Sequence, residues 1–162
     1  MKTFLLHLTR PTLQRYVWQD ALLWIPRIYC GYHLAFNFGA AKFGLPWSPP
    51  ENNLGFFEVA FWFPNDINEY GGVFSLCPAI FAWLGAFSEA VGGLALILGF
   101  QTRIFSFLIA VTMLVAAFVQ HAGEELWQQL PAMHFFWVAL YCMMLGSGRF
   151  GIDYLLTKNK TL

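Results

Sequence analysis

The run LCPAIFAWLGAFSEAVGGLALILGF, from Leu76 to Phe100, decides the fold. About 20 predominantly apolar residues in a helix are enough to cross the hydrocarbon core of a bilayer. This run exceeds that length, and Glu89 is its only charged residue. Working outward, three further segments read the same way. The expected spans are 21–43, 76–100, 103–121 and 132–148; the last has a short apolar run and borrows flanking residues or sits at a thin place in the bilayer. Composition agrees: 58% of residues are hydrophobic and 11% charged. A soluble domain is roughly 45–50% apolar and about 25% charged, so this chain has too little charge to cover itself against water. We therefore expect an all-α integral membrane protein, a four-transmembrane-helix bundle forming a single membrane domain over 1–162.

The connections sort by charge. Lys2, Arg10 and Arg15 precede the first span, Arg103 lies between the second and third, and Arg149, Lys158 and Lys160 follow the fourth. Glu51, Glu58, Asp66 and Glu69 fill the first long connection, and Glu124 and Glu125 the third. Lys and Arg are enriched in cytoplasmic loops, so both termini are expected in the cytoplasm and the acidic loops outside, in a multi-pass protein. Net charge is zero, and no basic face suits nucleic acid. Cys30, Cys77 and Cys142 are isolated, which excludes a C-x-x-C redox or zinc pair. There is no phosphate-binding Gly-rich loop and no nucleophile with an evident base.

The first outer connection, 44–75, is rich in rings. Its stretch Gly55 to Pro64 is too short to cross a membrane. It reads either as an interfacial helix or as a loop packed on the mouth of the bundle. Phe57 and Trp62 are its candidate partner-binding or lipid-binding side chains.

A charge in mid-membrane usually faces a partner inside the bundle. Glu89 shares a helix face with Gly85 and Gly93, and Arg27 shares one with Gly31, Ala35 and Gly39, since residues four apart align. Small residues let helices approach closely, so these two stripes are expected to meet, pairing Arg27 with Glu89. Depth strains that pairing: at about 1.5 Å per residue, Arg27 lies about 8 Å from the inner end of its helix and Glu89 roughly 16–20 Å. His33 is the competing partner, nearer in depth but turned away from the small face. Such a buried group either fixes packing or handles protons. A second polar cluster is expected at the outer face, where the helix ends carrying Lys42, His121 and His134 converge beside Glu124 and Glu125; it reads either as a site that binds a ligand such as a metal or relays protons, or as polar residues at an interface. No tight spacing supports a metal there.

Several landmarks together resemble the DoxX family of small four-span bacterial membrane proteins. They are Arg27-Ile-Tyr-Cys-Gly31, the Gly39-Ala-Ala-Lys42 ending, and the run from Glu89 through Gly92, Gly93 and Gly99 to Arg103. Met113 and His121 follow, and the close Gly146-Ser-Gly148-Arg149-Phe-Gly151-Ile-Asp153 is similar to the family's ending. The resemblance covers roughly Arg27 to Leu155 and implies a protein of the bacterial cytoplasmic membrane. One branch of the family is associated with thiosulfate:quinone oxidoreductase, which implies a membrane subunit of a quinone-linked redox system with quinone as the cofactor. Two alternatives stand beside it. One is a non-enzymatic anchor, assembly partner or cargo receptor; the other is a small transporter or lipid-binding bundle.

Overall fold

The computed structural model describes residue 6 and residues 8–159; Lys2 and Lys160, counted in the charge pattern above, lie outside the described residues. Among the described residues the regular structure is helical, with one isolated β-bridge, between Phe43 and Val59. Helix α1 (Val17–Tyr32) starts where the Gln19 side chain accepts the Tyr16 N–H at 3.2 Å. It runs on without a break into a π-helical stretch (His33–Gly39) and a last turn (Ala40–Lys42). A short helix, α2 (Phe63–Glu69), has Pro64 in its first turn, where a missing N–H costs nothing. Helix α3 (Pro78–Leu98) carries the deciding run. It stops at Gly99, whose φ of +63 favours a residue without a Cβ, and the Phe100 N–H reaches back to the Ala95 carbonyl at 3.0 Å.

Helix α4 (Thr102–Val115) continues as a π-helical stretch (Ala116–Gln120), and α5 (Leu126–Leu145) and α6 (Ile152–Thr157) follow. Helix α5 extends before the expected fourth span: it starts at Leu126 and carries Pro131 inside it, the carbonyl that a prolyl N–H would have engaged being released near the helix start.

Helix α3 is the central element. It packs against α1 and its π-helical continuation on one side, α4 on another and α2 near its start, while α4 and α5 form the broadest helix pair. The two small-residue stripes do meet. A Cβ on Gly93 would lie 2.6 Å from the Ala35 nitrogen, and one on Gly39 would lie 2.5 Å from the Ala90 nitrogen. Gly85 faces elsewhere, toward the Phe63 ring and Thr112.

One end of the molecule gathers residues 8–20, the 99–102 turn and the segment after α5; we call it the tail end. Asp153 seals it, its carboxylate accepting the Gln101 N–H at 2.8 Å, the Thr102 N–H at 2.9 Å and the Thr102 hydroxyl at 2.8 Å. Arg103 donates to the Met143 carbonyl at 3.1 Å and the Met144 carbonyl at 3.2 Å, where a cation also suits the α5 C-terminus. Arg149 pairs with buried Asp20.

At the opposite, loop end, the aromatic stretch is the loop alternative, not an interfacial helix, as far as Trp62. It folds back as a clasp: Gly44 N–H to Glu58 O at 2.8 Å, Phe57 N–H to Gly44 O at 2.8 Å, and Ala60 N–H to Lys42 O at 2.9 Å. Helix resumes only at Phe63.

Large apolar side chains cover the outside of the helices as well as their contacts. Ile80, Leu84, Ile104, Phe107, Val111 and Phe118 are all exposed. Pro78–Leu98 and Thr102–Gln120 are long and apolar enough to cross a membrane. A helix apolar on its outer face as well as its packed face is at home in lipid.

Candidate functional site: an ion pair at the wall of an apolar cavity

The close backbone contact of Gly39 with Ala90 brings the last turn of the first helical rod alongside the middle of α3. Lys42, three residues after Gly39, therefore arrives level with Glu89. Its ammonium donates to both carboxylate oxygens, at 2.7 and 2.9 Å. Glu89 is 4% exposed, and the Lys42 ammonium also lies 5.0 Å from the centre of the Phe63 ring, a favourable place for a cation. Taking a carboxylate out of water is costly unless an opposite charge and hydrogen bonds replace the solvent, and here one side chain supplies both.

The expected partnership of Arg27 with Glu89 is thus corrected. Arg27 is 1% exposed and spends its guanidinium on the tail end, donating to the Ser147 carbonyl at 2.5 Å and the Phe150 carbonyl at 2.8 Å. Those carbonyls lie near its own depth, whereas Glu89 lies farther along the rod. His33, the competing partner, is taken by its own helix. Its Nδ1 lies 2.9 Å from the Asn37 amide nitrogen, and its ring meets Tyr29 edge-on at 4.5 Å.

The outer cluster of Lys42, His121 and His134 is not assembled either. Lys42 turns inward to Glu89, His121 pairs with Glu124 at 2.6 Å on the surface, and His134 shares a shallow groove with His33 between α1 and α5. Helix ends at one face are separated by the width of the bundle, so shared depth alone does not make contact. Phe57 adopts φ +61 in the clasp, and its carbonyl accepts the Trp83 indole N–H at 3.3 Å. Trp62 directly precedes α2 and packs its ring against Phe63.

Lys42 and Glu89 stand in the wall of a cavity of about 400 Å³ between α3, α4 and α2. The rest of its polar lining is sparse. Ser88 donates to the Gly85 carbonyl at 2.9 Å and shares a 2.6 Å hydrogen bond with Thr112 of α4. Phe63, Ile67, Tyr70 and Phe74 roof the cavity. The Tyr70 phenol is pushed up to about 12, first by burial and then by the negative charges of Asp66, Glu89 and Glu69; it stays neutral, able to donate and accept. On the side away from α1 the cavity is bordered by Leu84, Phe107 and Val111, each also exposed on the apolar exterior, so it opens sideways. A pocket of a few hundred Å3, mostly apolar with a few convergent polar groups, is the usual form of a small-molecule site. The ion pair is neutral as a whole, which suits an uncharged ligand with a polar head and an apolar tail.

A family model, DoxX, matches residues 24–122. Every side chain lining the cavity lies between Lys42 and Gln120, inside the matched region, while Asp153 and Arg149 lie beyond it. No curated protein matches the chain, and no solved structure does.

Proposed function

The chain belongs to the DoxX family of membrane proteins, and we propose that it is the membrane subunit of a quinone-linked redox system, holding a quinone head beside Lys42 and Glu89. The observation that carries this reading is the ion pair in the wall of a sideways-opening apolar cavity. The rods ending at Lys42, Leu98, Gln120 and Leu145 cross the bacterial cytoplasmic membrane four times, with both termini in the cytoplasm. Supporting this, Arg10, Arg15, Arg103 and Arg149 belong to the tail end, and the acidic loops are remote from it; cytoplasmic segments are the Lys- and Arg-rich ones.

The chemistry follows from the pair. The Lys42 ammonium would donate a hydrogen bond to a carbonyl of a bound quinone, and the aromatic and aliphatic walls would take its ring and the first part of its tail. The quinone would supply the redox chemistry, taking two electrons from a partner electron-donor protein and two protons. Lys42 would hand over the first proton, the amine–carboxylate pair left behind, net negative, would draw in a replacement, and the re-protonated Lys42 would hand over the second. The test is mass spectrometry of what co-purifies in mild detergent, wild type beside Glu89→Gln. Quinone retained by the wild type and lost from the variant supports the reading. Bulk phospholipid alone in both removes it.

A second reading, an anchor or assembly partner, is favoured by one observation: Phe56 is 70% and Phe61 86% exposed on the clasp. Exposed rings at a rim are a common docking feature.

A further inference from the structure

The hydrogens of the cavity wall can be assigned one by one. A hydroxyl carries a single hydrogen and two lone pairs. Ser88 is buried in α3, and its hydroxyl donates to the Gly85 carbonyl at 2.9 Å. A carbonyl has no hydrogen to give, so the Ser88 hydrogen is committed there. The 2.6 Å contact between the Ser88 and Thr112 hydroxyls is then left with one workable direction: Thr112 donates and Ser88 accepts. Both hydrogens are spent inside the protein. The Thr112 oxygen keeps only lone pairs for anything else that meets it.

The ion pair is the reverse. An ammonium has three hydrogens, and Lys42 spends one on each Glu89 oxygen, which leaves a third. The two groups reach the cavity from different walls. Lys42 comes from the end of the first rod and Thr112 from α4, while Ser88 and Glu89 are consecutive on α3 and about 100° apart around it. All four line the same space. The remaining hydrogen-bonding side chains in the lining are Tyr70 and Gln120. Each can donate or accept, so neither selects.

We infer that the Ser88–Thr112 pair makes this site prefer the reduced, hydroxyl-bearing form of its ligand, quinol over quinone. Lys42 donates to a head oxygen of either form. At the α4 wall the forms part company: a quinol hydroxyl donates to Thr112, whereas a quinone carbonyl sets lone pair against lone pair. Thr112 is thus a specificity residue, and Ser88 acts through it by holding its hydrogen. This rests on the quinone reading and deepens it. Tighter binding of the reduced form raises the potential of the bound couple, so the site makes its quinone a stronger electron acceptor than the quinone dissolved in the surrounding lipid.

The test uses the full chain in nanodiscs of fixed lipid content, titrated anaerobically with a decyl-tailed benzoquinone and, separately, with its quinol. Quinol should bind tighter by about tenfold or more. A tenfold preference places the midpoint of the bound couple about 30 mV above that of the same couple in empty nanodiscs. Thr112→Val puts a methyl group in place of the hydroxyl and keeps the Ser88–Gly85 bond; it should bring the two affinities within about twofold. Thr112→Ser should restore the preference. Ser88→Ala keeps the Thr112 hydroxyl but frees its hydrogen, so quinone should bind tighter than it does to wild type. Equal affinities in wild type, a preference that survives Thr112→Val, or no gain for quinone in Ser88→Ala overturns this inference and leaves the quinone reading standing. Binding of neither form overturns both.

Discussion

Gly39 rests directly on the backbone of Ala90, and that contact sets where Lys42 meets Glu89. A methyl group at position 39 would fall 2.5 Å from the Ala90 nitrogen and Cα, neither of which can swing aside. Gly39→Ala should therefore push the first rod off α3 and destabilise the protein by about 1–3 kcal/mol, read by thermal unfolding in detergent. A melting curve that superimposes on wild type would show that the two backbones are not in this contact.

Breaking the ion pair from one side should cost more than removing it whole. Lys42→Met leaves the Glu89 carboxylate without its donor, and Glu89→Gln leaves an ammonium against an amide. Each is expected to lose about 2–4 kcal/mol, and the double variant Lys42→Met with Glu89→Gln less than the sum. A double-mutant cycle on unfolding midpoints measures the coupling; strict additivity would mean the two charges do not depend on each other.

Asp153 acts at the far end. Three donors of the 99–102 turn converge on its carboxylate, which caps the start of α4 from another part of the chain. Asp153→Ala should cost about 1–3 kcal/mol while leaving quinone retention in the folded fraction intact. Loss of ligand without loss of stability would place Asp153 in the binding machinery instead.

Alkaline stability should carry a Tyr70 signature. Its phenol rises from 10.0 to about 12 in the folded protein, so the fold holds that proton more tightly than the unfolded chain. The contribution is whole below 10 and is lost as pH climbs through about 12. Tyr70→Phe has no phenol to ionise, so the difference between variant and wild type should move in the variant's favour over that window. A difference independent of pH there would count against a buried phenol.

The clasp rings separate the two functional readings. Phe61→Ser should change stability by no more than about 0.5 kcal/mol, because the side chain is mostly in the open. Under the anchor reading a stoichiometric partner disappears from pull-downs of this variant; under the quinone reading, co-purified quinone is untouched.

The helical layout was legible because its signals are local. Leu76 to Phe100 announces α3 by length and apolarity, and the four-residue spacing of Gly31, Ala35 and Gly39 announced a tight seam that does form. The pairing of charges was less legible. Glu89 was visible as a buried acid, but its partner depends on where two rods lie in register, which the Gly39–Ala90 contact sets and spacing along one helix does not. The depth mismatch of Arg27 was the available warning. Lys42, at the end of the same stripe, was assigned instead to a surface cluster whose members turn out to point to three different places. Tyr70 carried no signal at all in the chain, since its importance comes from α2 folding over the cavity.

The sideways opening beside Leu84, Phe107 and Val111 changes what affinity means for this protein. A ligand reaching Glu89 by that route is never dilute in water; it is already dissolved in the bilayer, and occupancy follows its mole fraction among the lipids. Modest intrinsic binding is then enough for full occupancy in a membrane rich in the ligand. The same site empties when detergent thins that two-dimensional solvent. Titrations should accordingly be run at fixed lipid and scaled per lipid molecule, and an apparently weak aqueous constant says little about occupancy in the cell.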